Sequence, residues 1–193
     1  MRRREKSNRY GKFIAILVGL VMIGSIAGYV VLDSGSKTEL EYNGYEFRQD
    51  KNGFSTEIEE KVIAFNFHPT EVEHISFESD EISMLREAEV IMITSDPENP
   101  LQSAVSFLEF ELESKLLLFK RVVAHGFTEE NENNLQVITC DDAGEKSLVI
   151  YLTKGNSTSV NTQGNCIIII AKNEYDLVKV KDALLYRILG VIV

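Results

Sequence analysis

Twenty consecutive residues, Phe13 to Leu32 (FIAILVGLVMIGSIAGYVVL), carry no charge and contain no proline. With about 1.5 Å of rise per residue, a helix of this run matches the roughly 30 Å hydrocarbon core of a bilayer. The flanks give it a direction. Arg2, Arg3, Arg4, Lys6, Arg9 and Lys12 precede the run against Glu5 alone, and the first basic residue after it is Lys37. Basic residues are held on the cytoplasmic side, so the expected arrangement is a cytoplasmic tail (1–12), a transmembrane helix (13–32), a tether (33–39) and an extracytoplasmic domain (40–193). That arrangement implies the cell membrane as location and membrane lipid as a partner.

Gly24 and Gly28 stand four residues apart within the run. GxxxG spacing lets two helices approach backbone to backbone, so a homodimer through the transmembrane helix is one reading and an incidental pair the other. The leader itself admits three fates. An uncleaved signal anchor is favoured because YVVL continues the apolar run past Ser25 and Ala27, which satisfy the small-residue rule for signal cleavage. A pilin-type leader would be cut after Gly11, but Tyr10 stands where Lys or Arg is usual and Ile16 where a Glu is usual.

The formal net charge of −10 conceals an asymmetry. Residues 1–12 carry six basic and one acidic side chain, a local +5, which leaves −15 for the remainder. A domain this acidic is repelled by phosphate backbones, which argues against nucleic acid as a partner. Apolar residues beyond the span fall in short periodic runs, the pattern of a packed core.

Those runs point to a mixed α/β (or α+β) domain with an antiparallel meander and two main helices. Asn43-Gly44 and Asn52-Gly53 are hairpin dipeptides separating Tyr45–Gln49, Phe54–Ile58 and Lys61–Phe67. In the last of these, Ile63, Phe65 and Phe67 share the face expected to point inward. Val90–Thr94 reads as a strand. Leu101, Val105, Leu108, Leu112, Leu116 and Phe119 make one apolar stripe of a helix over 101–120. Further strands are expected at 135–140, 147–153 and 166–171, the last with four isoleucines and therefore central in the sheet. Asn173 caps a final helix whose inner stripe is Leu177, Val180, Leu184, Leu185 and Ile188.

Candidate chemistry is sparse. His68, His74 and His125 match no zinc spacing, and no P-loop, GxGxxG or GxSxG is present, so neither a metal nor a cofactor is implied. Asp96 and the Asp141-Asp142 pair follow strand-like runs, where open α/β sheets place catalytic groups and where Asp is also an ordinary turn former. Asn156-Ser157-Thr158 is a glycosylation sequon on a turn-rich loop. Cys140 and Cys166 are an even pair on the outer, oxidising side, so a disulfide is the expectation and two buried thiols the alternative.

The stretches EYNGYEF, TCDDA, LVIYLTKGNST, GNCIIII and DALLYRILGVI, spread over most of the outer domain, resemble small membrane-anchored proteins of archaeal type. That resemblance implies a signal anchor and a cysteine pair, and brings no activity with it. The functional expectation is a single-pass envelope protein whose outer domain is an interaction module or complex subunit with a protein partner. The alternatives are an anchored hydrolase or transferase using Asp96, Asp141 and a histidine in one cleft, and a pilin-like filament subunit.

Overall fold

The computed structural model describes residues 39–132 and 134–193. The expected tail and transmembrane helix, with Gly24 and Gly28, lie outside the described residues. Among those described, no helix is long and apolar enough to cross a membrane.

The domain opens with a four-stranded antiparallel meander: β1 (Glu39–Tyr42), β2 (Tyr45–Asp50), β3 (Gly53–Ile58) and β4 (Lys61–Phe65), paired in that order. Its first strand begins at Glu39, one residue ahead of the expected boundary. Asn43 and Gly44 both take positive φ (48° and 81°), which a two-residue hairpin needs and these residues adopt cheaply. The β3–β4 turn makes the same demand of Glu59 and Glu60 (48° and 64°), residues with no such preference. Phe47, Ile58, Ile63 and Phe65 are buried on the inner face, and Val62 points outward. The strand expected to reach Phe67 ends at Phe65, because the amides of Asn66 and Phe67 donate to the carboxylate of Asp182 at 2.7 and 2.8 Å.

Two short helices follow, α1 (Pro69–Val72) and α2 (Ser79–Glu87). His68 caps α1 by accepting from Thr70 N, and Glu71 returns the bond to His68 N. Then come β5 (Val90–Ser95), α3 (Gln102–Leu116) with a tight extra turn through Phe119, β6 (Val122–Phe127), β7 (Ser147–Lys154), β8 (Ser159–Gln163), β9 (Cys166–Ala171) and α4 (Glu174–Ile188). These five strands form a second sheet in the order β6-β5-β7-β9-β8, parallel throughout except for β8 at the edge. The fold is therefore mixed α/β with one antiparallel and one mixed sheet.

Four sequence expectations change. Residues 121–134, expected as a link, contain β6, and the loop before Cys166 contains β8. The expected strand over 135–140 makes only one bridge, Val137 to Phe127, as it crosses the β6 edge. Gly126 permits that crossing, since a Cβ there would stand 2.4 Å from Gln136 O. The isoleucine strand β9 is interior but not central, lying between β7 and the edge strand.

One hydrophobic core joins the inner face of the meander, the helices, and the face of the mixed sheet that carries Ile91, Ile93, Leu148, Ile150, Leu152, Ile167 and Ile169. The helices thus lie between the two sheets. The last two turns of α4 are buried all round, from Val180 to Ile188. Tyr186 stacks on Phe65 with ring centroids 4.0 Å apart, and its hydroxyl donates to Phe67 O at 2.7 Å. The opposite face of the mixed sheet carries a smaller cluster of Ile138, Val149 and Cys166. There Cys140 and Cys166 form a disulfide, with Cα atoms 5.2 Å apart, which ties the 135–143 segment across the start of β9.

Candidate functional site

In a parallel sheet, ligands enter where neighbouring connections diverge at the carboxyl ends of the strands. Here β5 feeds α3 and then β6 on one side, while β7 feeds β8 and β9 on the other, so the divergence falls between β5 and β7. A cleft of ≈ 310 Å³ opens there, lined by Asp96, Glu98, Asn99 and Pro100 from the first connection and Thr153, Lys154, Gly155 and Asn156 from the second. The structure thereby brings together two residues chosen separately from sequence, Asp96 and the sequon residue Asn156.

Two of the polar side chains of this cleft, Asp96 and Asn99, are occupied in building it. Asp96 Oδ1 accepts from Glu98 N at 2.7 Å in an Asx turn. Asn99, buried, accepts from Leu101 N at 2.9 Å and donates to Leu152 O at 3.0 Å, which locks the connection to β7. Ser95 donates to Gln102 Oε1 at 3.2 Å, fastening the first turn of α3. Asn156 is exposed at the rim. Thr158 of the same sequon donates to Asp176 Oδ2 at 2.7 Å and accepts from Lys172 N at 3.2 Å.

Asp141 does not join Asp96. It follows Cys140, which is bonded to the first residue of β9, so it lies at the amino end of the sheet, a strand length of roughly 20 Å from the cleft. The histidines are also dispersed. His68 sits in the core side of the meander among Tyr42, Phe47 and Phe54, with its Nε2 buried and unbonded, and burial pulls it below the ordinary histidine value. His74 borders a groove with Ser159, Asp176 and Lys179. His125 on β6 faces Glu113 of α3, Nε2 to Oε2 3.1 Å. Among the described residues, no three His, Cys, Asp or Glu side chains gather to hold a metal ion. The single cleft that an Asp96, Asp141 and histidine mechanism requires is not formed.

A second surface has no such internal occupation. Opposite its buried stripe, α3 carries Phe107 and Phe110, which are 49% and 64% exposed, the tight turn after it adds Leu117 and Leu118 at 65% and 48%, and Val122 at the start of β6 adds 57%. The three-residue offset places Phe107 and Phe110 on one side of the helix, and Leu117 and Leu118 follow in the turn that ends it. Sequence reasoning assigned α3 one apolar stripe and missed this one. Its signal was present in the same spacing, shifted half a turn.

Compared with protein-family models, with curated proteins and with solved structures, the chain matches none.

Along the flank of the stripe nearest β6, burial pushes the Glu109 carboxyl up to about 7, with His125 working against the shift. On the other flank Glu111 is paired with Lys115 and with Lys181 at 3.5 Å, so its charge is spent inward. Arg121 is likewise drawn inward, bonding the carbonyls of Leu85, Arg86 and Ala88. On its exposed side α3 shows Phe107 and Phe110 interspersed with Ser103, Ser106, Glu113 and Ser114.

Proposed function

We propose that this chain is a single-pass, membrane-anchored envelope protein whose outer α/β domain is an interaction module, a subunit that docks a protein partner through the exposed face of α3. The anchor reading rests on the charge-free run 13–32 and its basic cytoplasmic flank. The Cys140–Cys166 disulfide suits a domain held in an oxidising compartment. The observation that carries the docking reading is the second apolar stripe. Four large side chains about half exposed or more, on α3 and the turn that ends it, are costly in water and are used when a partner covers them. The tether proposed for 33–39 spans at most about 25 Å when fully extended, within reach of other membrane components. Asn156, exposed on the cleft rim, is the proposed glycan site of this domain.

Replacing Phe110 with a benzoyl-phenylalanine crosslinker in the native cell tests the docking reading. A discrete adduct from position 110, absent when the same group replaces the exposed Asn161 on β8, is the expected result. Equal or no adducts at the two positions would remove the reading.

A further inference from the structure

The chemistry of the α3 surface narrows what can sit on it, taking as given the docking reading above. Residues 39–193 carry the same net −15 as the whole chain beyond residue 12, since Asp33 and Lys37 cancel. This charge is unevenly placed around the stripe. At its amino end, where β5 and β6 finish, Glu98, Glu129, Glu130 and Glu132 line a shallow hollow of ≈ 730 Å³ floored by Pro97 and Phe127. Only about 8 Å of helix separates Gln102, the first residue of α3, from Phe107, so the hollow lies just beyond the amino end of the stripe, with the exposed Ser103 and Ser106 between them. At the other end the exposed Lys120 follows the stripe. The track from the hollow to Lys120 therefore carries large apolar side chains interspersed with Ser103, Ser106 and Ser114, and it is strongly acidic at one end.

We infer that the occupant is an amphipathic helix of another protein, apolar at three- and four-residue steps, with Lys and Arg gathered at the end that lies over Glu98, Glu129, Glu130 and Glu132. The apolar positions bury Phe107, Phe110, Leu117 and Leu118. The basic end supplies opposite charge where the domain concentrates its own, which fixes the direction of the helix on the track and speeds its capture. A second copy of this domain fits poorly, because in an antiparallel pairing its α3 face offers only Lys120 opposite Glu98, Glu129, Glu130 and Glu132. An anionic lipid surface is disfavoured by the same glutamates.

The full chain in zwitterionic phosphatidylcholine nanodiscs, titrated with labelled helical peptides of about five turns, gives the test. One peptide has leucines on one face and four lysines at one end, and its counterpart has four glutamates there. The lysine peptide is expected to bind at least about tenfold more tightly and to weaken as salt rises. Phe110→Gln and Leu117→Gln, which leave charge unchanged at exposed positions, should each weaken it about tenfold. Glu129→Gln with Glu130→Gln and Glu132→Gln should remove most of the salt dependence. Equal binding of the two peptides, or unchanged binding to Phe110→Gln, overturns the inference. If an environment-sensitive label at position 110 reports burial in nanodiscs without peptide, lipid is the occupant and the inference falls. Crosslinking from position 110 in cells with no lysine-peptide preference would leave the docking surface standing and refute only the partner chemistry, whereas loss of both would refute both.

Discussion

Asp182→Ala should be the most damaging conservative-sized change in this domain, and the structure gives its scale. Asp182 is fully buried, its Oδ2 accepts from the amides of Asn66 and Phe67 at 2.7 and 2.8 Å, and Lys181 Nζ stands 2.8 Å from Oδ1. Lys181, itself 1% exposed, also donates to Asn66 Oδ1 at 2.7 Å. One carboxylate thus ties the exit of the meander to the central helix. Burial raises its pKa, while the Lys181 ammonium and the two amides pull the other way. Removing it orphans two backbone donors and leaves a buried ammonium short of its nearest anion, a loss of about 3–5 kcal/mol. In a domain of this size each kcal/mol is about 2–4 °C in Tm, so a fall of roughly 6–20 °C is expected. Urea unfolding followed by circular dichroism reads this directly. Lys181→Met should cost less, because Asp182 retains both amides, and the double variant Lys181→Met/Asp182→Asn should recover part of the loss, as paired polar groups removed together do. A loss under about 1 kcal/mol for Asp182→Ala would refute the argument that this carboxylate joins the two layers.

Reducing the Cys140–Cys166 bond, which closes a loop with sequence separation 26, should lower stability by about 3–4 kcal/mol in the chain-entropy model, seen as a lower urea midpoint with dithiothreitol. No change in midpoint would mean that the 135–143 segment is held by packing alone. For Glu109, the folded carboxyl at about 7 lies above its ordinary 4.5, so the folded state holds its proton more tightly than the unfolded chain. The associated stability is fully present below about 4.5 and is lost as pH rises through about 7, by no more than about 3 kcal/mol and less for its remaining exposure. Glu109→Gln, neutral throughout, should flatten stability between pH 5 and pH 8, and an unaltered slope would place the effect elsewhere.

Sequence alone determined the elements whose signals are local. Asn43-Gly44 fixed a hairpin because both residues accept positive φ, and the inward set Ile63 and Phe65 followed from alternation. The two long helices announced themselves by apolar spacing, and Asn173 by its capping chemistry. The short strands β6 (VVAHGF) and β8 (SVNTQ) were not legible, since neither alternates and each is defined by hydrogen bonds to a strand distant in sequence. The reverse held for 135–140, whose β-like composition is spent on crossing a sheet edge. The Glu59-Glu60 turn was invisible because its positive φ is imposed by the register of β3 and β4 rather than chosen by its residues.

The site divides in the same way. Asp96 and Asn156 could each be picked from their neighbours, but their meeting in one cleft depends on β5 and β7 being adjacent and parallel while their connections part. Asp141 carried an equal signal and lies at the opposite end of the sheet. On α3 the sequence contains two apolar faces, and nothing local says which is buried. Packing chose the Leu101, Val105, Leu108, Leu112 and Leu116 face, because a helix laid on β5 and β6 and beside α4 can turn only part of its circumference to the core. Phe107, Phe110, Leu117 and Leu118 were left facing water by that choice.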